Sequence, residues 1–202
     1  MNRYVVVITG ASGSVYGMRL TEQLLLAGHE VVFCATEAGR QVTAHELAFE
    51  LPLGNAEASA VALATFLELP SAERLRVAYA SDLFDAIASG SHRVDGMIVA
   101  PASMGFCGSV AHSLALDLPE RAADVCLKEG RRLVIVPRET PLSIIHLRNL
   151  TMLAEAGATI VPAMPAFYQR PGSVDELVSF VVGKVMDVLG LEHSLFDRWG
   201  SA

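Results

Sequence analysis

Short runs of β-branched residues alternate along this chain with longer stretches of helical character, and that alternation limits the fold more than any other feature. The runs Tyr4 to Ile8, Glu30 to Cys34, Leu75 to Tyr79, Gly96 to Ala100, Arg132 to Val136 and Thr159 to Val161 are nearly continuous in apolar side chains. A strand wetted on one face alternates apolar with polar residues, whereas a strand covered on both faces does not. These runs therefore read as a parallel sheet with helices on either side. The helices are expected over about Val15 to Ala27, Glu37 to Phe49, Glu57 to Phe66, Met104 to Ala115, Pro119 to Glu129, Pro141 to Ala156 and Ser173 to Leu189, with Gly, Pro, Ser or Thr at nearly every changeover. Pro52 to Ser59 and Asp85 to Arg93 read as surface loops too short to divide the chain. The expectation is one α/β domain over residues 1–202, a Rossmann-like three-layer α/β/α arrangement with a mostly parallel sheet and right-handed crossovers. Its ligand then belongs outside the carboxyl ends of the strands.

Composition narrows the partners. With 52% apolar residues in a chain of 202, a sizeable core is available, and the formal charge of −7 leaves no basic field to gather nucleic acid or an anionic membrane. An anionic ligand must be caught by a few local cations. Mean hydropathy is high at +0.42, yet no apolar run approaches the roughly 18 residues of a membrane span, so the surplus is expected in buried strands and subunit contacts. Met1-Asn2-Arg3-Tyr4 passes straight into an apolar strand without a signal-like segment, and a cytoplasmic location is expected. Cys34, Cys107 and Cys126 are odd in number and widely spaced, which suits buried reduced thiols better than disulfides, zinc ligands or a nucleophile.

Several strand ends carry chemistry. The first runs into Thr9-Gly10-Ala11-Ser12-Gly13-Ser14-Val15-Tyr16-Gly17, a small-residue turn opening a helix. Its amides and helix dipole would favour a phosphate or another electron-rich group, or the glycines simply permit tight packing. Thr36 either caps the helix after the second strand, worth about 1 kcal/mol, or contacts a ligand. Glu46 is either a solvated helix carboxylate or a catalytic one. Ala100-Pro101-Ala102-Ser103-Met104-Gly105-Phe106 repeats the pattern of a strand end with a capping serine, and Ala88-Ser89-Gly90-Ser91 adds a donor-rich loop. Arg121 and Lys128 lie two helical turns apart and share one face, with Asp124 between them as an ion-pair partner. Val136-Pro137-Arg138-Glu139-Thr140-Pro141 places an Arg–Glu pair directly at a strand's carboxyl end. Tyr168 and Lys184 add a phenol and another cation, and His146 is read as packing or capping.

The ordered set formed by Thr9-Gly10-Ala11-Ser12-Gly13, Pro101-Ala102-Ser103-Met104-Gly105, Arg121-Ala122-Ala123-Asp124-Val125 with Leu127-Lys128-Glu129, Pro137-Arg138-Glu139-Thr140-Pro141-Leu142, Ile145-His146-Leu147 and Phe167-Tyr168 resembles the flavin prenyltransferases over essentially the whole chain. The resemblance implies a flavoprotein of the homo-oligomeric flavin-containing decarboxylase type, with one FMN-binding domain. It also implies a metal-independent transfer of a dimethylallyl group from dimethylallyl phosphate to N5 and C6 of reduced FMN. The prenylated FMN would serve a partner decarboxylase. Carried over residue by residue, Gly10, Ala11, Ser12, Thr36, Ser103, Met104, Gly105, Phe106 and Arg138 would hold FMN. Arg121, Lys128, Arg138, Tyr168 and Lys184 would surround the prenyl phosphate across subunits of a homododecamer, and Ser12, Glu46 and Glu139 would handle protons. The chain departs from the usual family pattern at Phe106, where a threonine is expected, and at Leu116-Asp117-Leu118 in place of Asp-Asn-Leu. It also departs at Leu83, followed by Phe84, where an aromatic is common, and at Lys184 in place of arginine.

Other readings are a diverged FMN-binding paralogue, either a cysteine-decarboxylase-like flavoprotein or a non-catalytic flavin-binding regulator, and a dinucleotide enzyme. The first expects an asparagine absent from Pro101-Ala102-Ser103-Met104. The regulator has no use for a second anion site, and the dinucleotide enzyme expects an acidic ribose ligand where Phe33-Cys34-Ala35-Thr36 stands.

Overall fold

The computed structural model describes residues 1–198. Strands β1 (Arg3–Ile8), β2 (Glu30–Ala35), β3 (Leu75–Tyr79), β4 (Gly96–Ala102), β5 (Arg132–Pro137) and β6 (Thr159–Ile160) form one parallel sheet in the order β3-β2-β1-β4-β5-β6. The pleat divides β1 between two cores: Tyr4, Val6 and Ile8 face one side, Val5 and Val7 the other. Helices α1 (Ser14–Leu26), α3 (Ala56–Phe66) and α7 (Val174–Leu189) close the first core, while α4 (Met104–Ala111), α5 (Leu118–Lys128) and α6 (Ile144–Glu155) close the second. Leu24 and Leu63 on one side and Leu153 on the other are completely buried, each contributing about 1.5–3 kcal/mol from burial alone. Both faces of the sheet are thus covered, as the continuous apolar runs require.

Close approach of α1 to the sheet depends on Gly17, because a Cβ there would meet Ala100 O and lie 2.6 Å from Ile8 Cγ1. Among the described residues, no helix is long and apolar enough to cross a membrane. All three cysteines are buried, and burial pushes Cys107 up to about 12 and Cys126 up to about 11, with Cys34 shifted the same way. They stay protonated and inert at neutral pH.

Differences from the sequence reading fall at helix ends, in one loop, and at strand ends, where β4 runs on to Ala102 and β6 stops at Ile160. Helix α2 (Glu37–Leu47) stops short of Phe49 because Ala48 adopts a left-handed conformation (φ 50°). Helix α4 ends at Ala111 rather than Ala115, where Leu114 N–H turns back to Ser109 O and Ser113 is left-handed. Helix α6 begins at Ile144 rather than at Pro141. Ser143 accepts from His146 N–H while the His146 ring bonds Ser143 N–H, a reciprocal cap that fixes the start and accounts for the histidine. The segment Asp85 to Arg93, read as a surface loop, contains a 3₁₀ turn over Ala86–Ala88 whose Ile87 is buried against the second core.

Candidate active site

Strand order reverses between β1 and β4: the chain leaves β1 towards β2 and β3, then crosses back to β4 on the other side. The chain connections leaving β1 and β4 therefore run to opposite sides, and the carboxyl end of the sheet between them is the position where a fold of this kind is expected to hold its ligand in a crevice. One buried hydroxyl fixes its floor. Thr9 N–H and Oγ1 both donate to Pro101 O (3.2 and 2.9 Å), and Oγ1 accepts from Ser103 N–H at 2.7 Å. From the third wall, Arg138 N–H donates to Ala102 O and its Nε reaches across to Ser12 O at 3.0 Å. Gly10 allows the loop after β1 to lie on α2, since a Cβ there would stand 2.6 Å from Ala38 Cβ. Gly13 takes a left-handed φ of 105° as the turn enters α1.

Glu46 reaches into this turn from the last turn of α2. Its carboxylate accepts from Gly13 N–H (3.0 Å to each oxygen) and from Ser14 N–H (2.9 Å), so an internal anion sits on the positive end of α1. Burial by itself would raise its pKa. The Ser12 hydroxyl nearby and the Ser14 and Gly13 amides together outweigh burial and hold the carboxyl below its ordinary range. The buried Ser14 hydroxyl adds to this from outside ordinary hydrogen-bond geometry. Glu46 is ionised at neutral pH, and Ser12 is the hydroxyl beside it. Tyr16, one turn into α1, is half-buried; burial raises its pKa and the nearby Arg138 charge opposes the rise.

The other flavin-loop candidates divide between side chain and main chain. Thr36 caps α2, accepting from Gly39 N–H at 3.0 Å, and its own N–H donates to Ile8 O. Ser103 caps α4 through Phe106 N–H at 3.2 Å. Met104 and Phe106 bury their side chains in the second core, so this segment offers the crevice only Ser103, the exposed Gly105 and backbone. At the positions departing from the family pattern, Asp117 caps α5 by accepting from Glu120 N–H at 2.9 Å, and Leu83 and Phe84 are exposed.

The cations separate into two groups. On α5, Arg121 pairs with Asp124 at 2.8 Å and donates through Nε to Ala88 O, while Lys128 pairs with Glu129 at 3.1 Å rather than with Asp124. On α7, Lys184 meets Asp187 at 3.3 Å, and the Tyr168 ring stands edge-on to Phe180, one turn before Lys184, at 6.0 Å. Because α5 and α7 cover opposite faces of the sheet, one copy of the chain does not bring the two groups together. Glu139 is exposed beside Arg138, with Oε1 accepting from Thr140 N–H at 3.0 Å.

Residues 1–186 match the family model named Flavoprotein. Over 195 residues, 96% of this chain and 94% of the relative, the sequence is 48% identical to a flavin prenyltransferase UbiX of Alkalihalophilus pseudofirmus. The chain belongs to the flavin prenyltransferase family. A flavin prenyltransferase UbiX of Pseudomonas aeruginosa is 41% identical over 201 residues, 98% of this chain and 94% of that one. Among solved structures, that of AnUbiX (PadA1) in complex with FMN and dimethylallyl pyrophosphate superposes with a TM-score of 0.87 at 34% identity, covering 100% of this chain and 98% of the other. A dodecameric FMN-dependent UbiX-like decarboxylase from Escherichia coli O157:H7 gives 0.85 at 37% identity, covering 98% and 100%. The cysteine decarboxylase TvaF, at 16% identity and a TM-score of 0.55 over 79% of this chain and 89% of that one, shares the fold alone.

Proposed function

We propose that the chain is a flavin prenyltransferase, a single FMN-binding domain that joins a dimethylallyl group from dimethylallyl phosphate to N5 and C6 of reduced FMN. The observation that carries this reading is the crevice between β1 and β4, where hydroxyls, backbone amides and the Arg138 guanidinium converge beside an ionised Glu46. That donor set fits FMN: Gly10 and Gly13 keep the loop low enough for a planar ring, and Ser12, Thr36 and Ser103 supply hydroxyls around it. Bound FMN would supply the nucleophilic N5 and C6 positions. Met104 and Phe106 contribute only main chain and packing to this pocket.

Donor phosphate leaves with the electron pair of its C–O bond, and the protein's part is to neutralise the charge that develops. Arg121 and Lys128 serve from one copy and Tyr168 and Lys184 from a neighbouring copy, because these two sets lie on opposite faces of the sheet, while Arg138 joins them from the sheet's carboxyl end. This arrangement requires an oligomer, and a homododecamer is the form proposed. Glu46, held as a carboxylate, accepts protons relayed through Ser12, and Glu139 exchanges a proton with the departing phosphate. The prenylated FMN would pass to a separate decarboxylase in the cytoplasm.

Anaerobic incubation with reduced FMN and dimethylallyl phosphate, followed by mass spectrometry of the released flavin, tests the reading. The expected product is FMN heavier by one dimethylallyl unit, and unmodified flavin after prolonged incubation overturns it.

A further inference from the structure

We propose that Asp85, clamped by Arg76, is a positioning residue for the donor-phosphate subsite. The inference rests on the proposed prenyl transfer and extends it to two residues that no motif singled out.

Arg76 lies on the edge strand β3, and both of its terminal nitrogens engage the Asp85 carboxylate, Nη2 to Oδ1 at 2.9 Å. The pair is lopsided: the Arg76 side chain is 43% exposed, that of Asp85 only 9%. The carboxylate is therefore the buried end, and it is fastened a third time by Ile87 N–H, which donates to Oδ1 at 3.0 Å and starts the 3₁₀ turn. Ile87 anchors that turn in the core, and Ala88 N–H closes it on Asp85 O. The next carbonyl, Ala88 O, accepts from Arg121 Nε at 3.2 Å. Beyond it lie Ser89 and Ser91, whose hydroxyls meet at 2.8 Å, and then Gly90 O and His92 O, which are both bonded by Arg131.

The donor-rich loop is thus held at its far end by Arg131, which follows α5. At its near end two cations engage it, Arg121 at Ala88 O and Arg76 at Asp85, the latter from the opposite edge of the sheet. One turn of backbone links the Asp85 carboxylate to the carbonyl that orients Arg121. If the clamp is released, that turn is free to shift, and Arg121 and the two serines lose their common geometry. Arg121 meets the donor phosphate when it is bound as well as when it leaves, so a displaced Arg121 weakens both states about equally and raises KM more than it lowers kcat. Nothing in this chain of contacts touches the β1–β4 crevice, so FMN binding should be indifferent to it.

The test uses the full-length protein loaded with reduced FMN, with dimethylallyl phosphate varied. Asp85→Asn keeps the shape and the acceptor for Ile87 N–H but removes the charge. Arg76→Gln removes the same pair from the other side. Each should raise KM for the donor roughly tenfold, with kcat and FMN affinity within about twofold of wild type. The double variant should be no worse than either single one, since both remove one interaction. Arg76→Lys, which keeps the charge but makes one contact where the guanidinium makes two, should recover part of the loss. An unchanged KM in folded Asp85→Asn overturns the proposal, as does a parallel fall in kcat and FMN affinity, which marks the pair as a fold anchor only. Additive losses in the double variant also count against it. Wild-type protein measured alongside separates the levels: if it shows no saturable response to the donor, the proposed function fails and the clamp's role falls with it.

Discussion

Thr9→Val removes one oxygen and keeps the shape of a side chain buried at the floor of the crevice. The hydroxyl donates to Pro101 O at 2.9 Å and accepts from Ser103 N–H at 2.7 Å. Pro101 O keeps a partner in Thr9 N–H at 3.2 Å, so losing the donor there costs only the net worth of one bond, about 0.5–1.5 kcal/mol. Ser103 N–H is left without its acceptor in a half-buried position, which adds about 1–3 kcal/mol. The sum is about 1.5–4.5 kcal/mol, or roughly 3–18 °C in Tm for a chain of this size. Because Ser103 is both the cap of α4 and a proposed flavin contact, FMN affinity should fall as well. Urea unfolding of apo-protein at one fixed protein concentration reads the first effect, and quenching of flavin fluorescence on titration reads the second. Thr9→Ser retains the hydroxyl and should recover most of both. A Thr9→Val protein within about 0.5 kcal/mol of wild type would refute this role for the hydroxyl, as would a Thr9→Ser protein damaged as badly as Thr9→Val.

Three further outcomes are expected. Glu46→Gln should destabilise apo-protein by about 0.5–1 kcal/mol at pH 7, a value reduced for the exposure of the carboxylate at the α1 terminus. Since the folded-state pKa of Glu46 lies below its ordinary value, this advantage is full above that value and fades as pH falls through the depressed one; urea titrations at neutral and acid pH should show the gap closing, and a pH-independent gap counts against the ionised cap. Gly10→Ala should cost about 1–3 kcal/mol by forcing the loop off Ala38, with weakened FMN retention on gel filtration, and full retention would mean that the loop shifts freely. Lys184→Ala should weaken capture of dimethylallyl phosphate by roughly ten- to over a hundredfold and Tyr168→Phe by less, both leaving FMN affinity nearly intact; parallel loss of FMN would return both residues to the fold.

The strands are the most legible part of this chain, because an unbroken apolar run of five or six residues such as Tyr4 to Ile8 fits a strand buried on both faces and little else. Helix ends are less legible, because local contacts and single backbone conformations decide them. Ser143 and His146 stop α6 from starting at Pro141 by bonding each other, and a left-handed Ala48 ends α2, neither of which a periodic pattern records. Within the site, family motifs mark Ser12, Glu46 and Arg138, but nothing in their spacing shows that Glu46 rests on the amides of Gly13 and Ser14. The buried role of Thr9 is hidden because a threonine at a strand end looks like ordinary β-propensity. Met104 and Phe106 sit in the right motif with their side chains pointing into the core, a fact set by the pitch of α4 rather than by the motif.

The same limit accounts for the cations. Helical spacing places Arg121 and Lys128 on one face of one helix, which is a local statement, and it holds. Whether that face looks towards Lys184 is a question of which side of the sheet each crossover takes. With α5 in the layer of α4 and α6, and α7 in the layer of α1 and α3, the sheet itself stands between the two groups. In a single copy each cation is instead satisfied by a neighbouring carboxylate: Asp124 for Arg121, Glu129 for Lys128 and Asp187 for Lys184. Exposed pairs of this kind are worth about 0–1 kcal/mol, so a phosphate making charge-assisted bonds at about 1.5–3 kcal/mol each would outcompete them. The carboxylates therefore hold the cations ready without locking them. A phosphate site built from both groups needs a second copy, and it would form at the contact between copies rather than within either one.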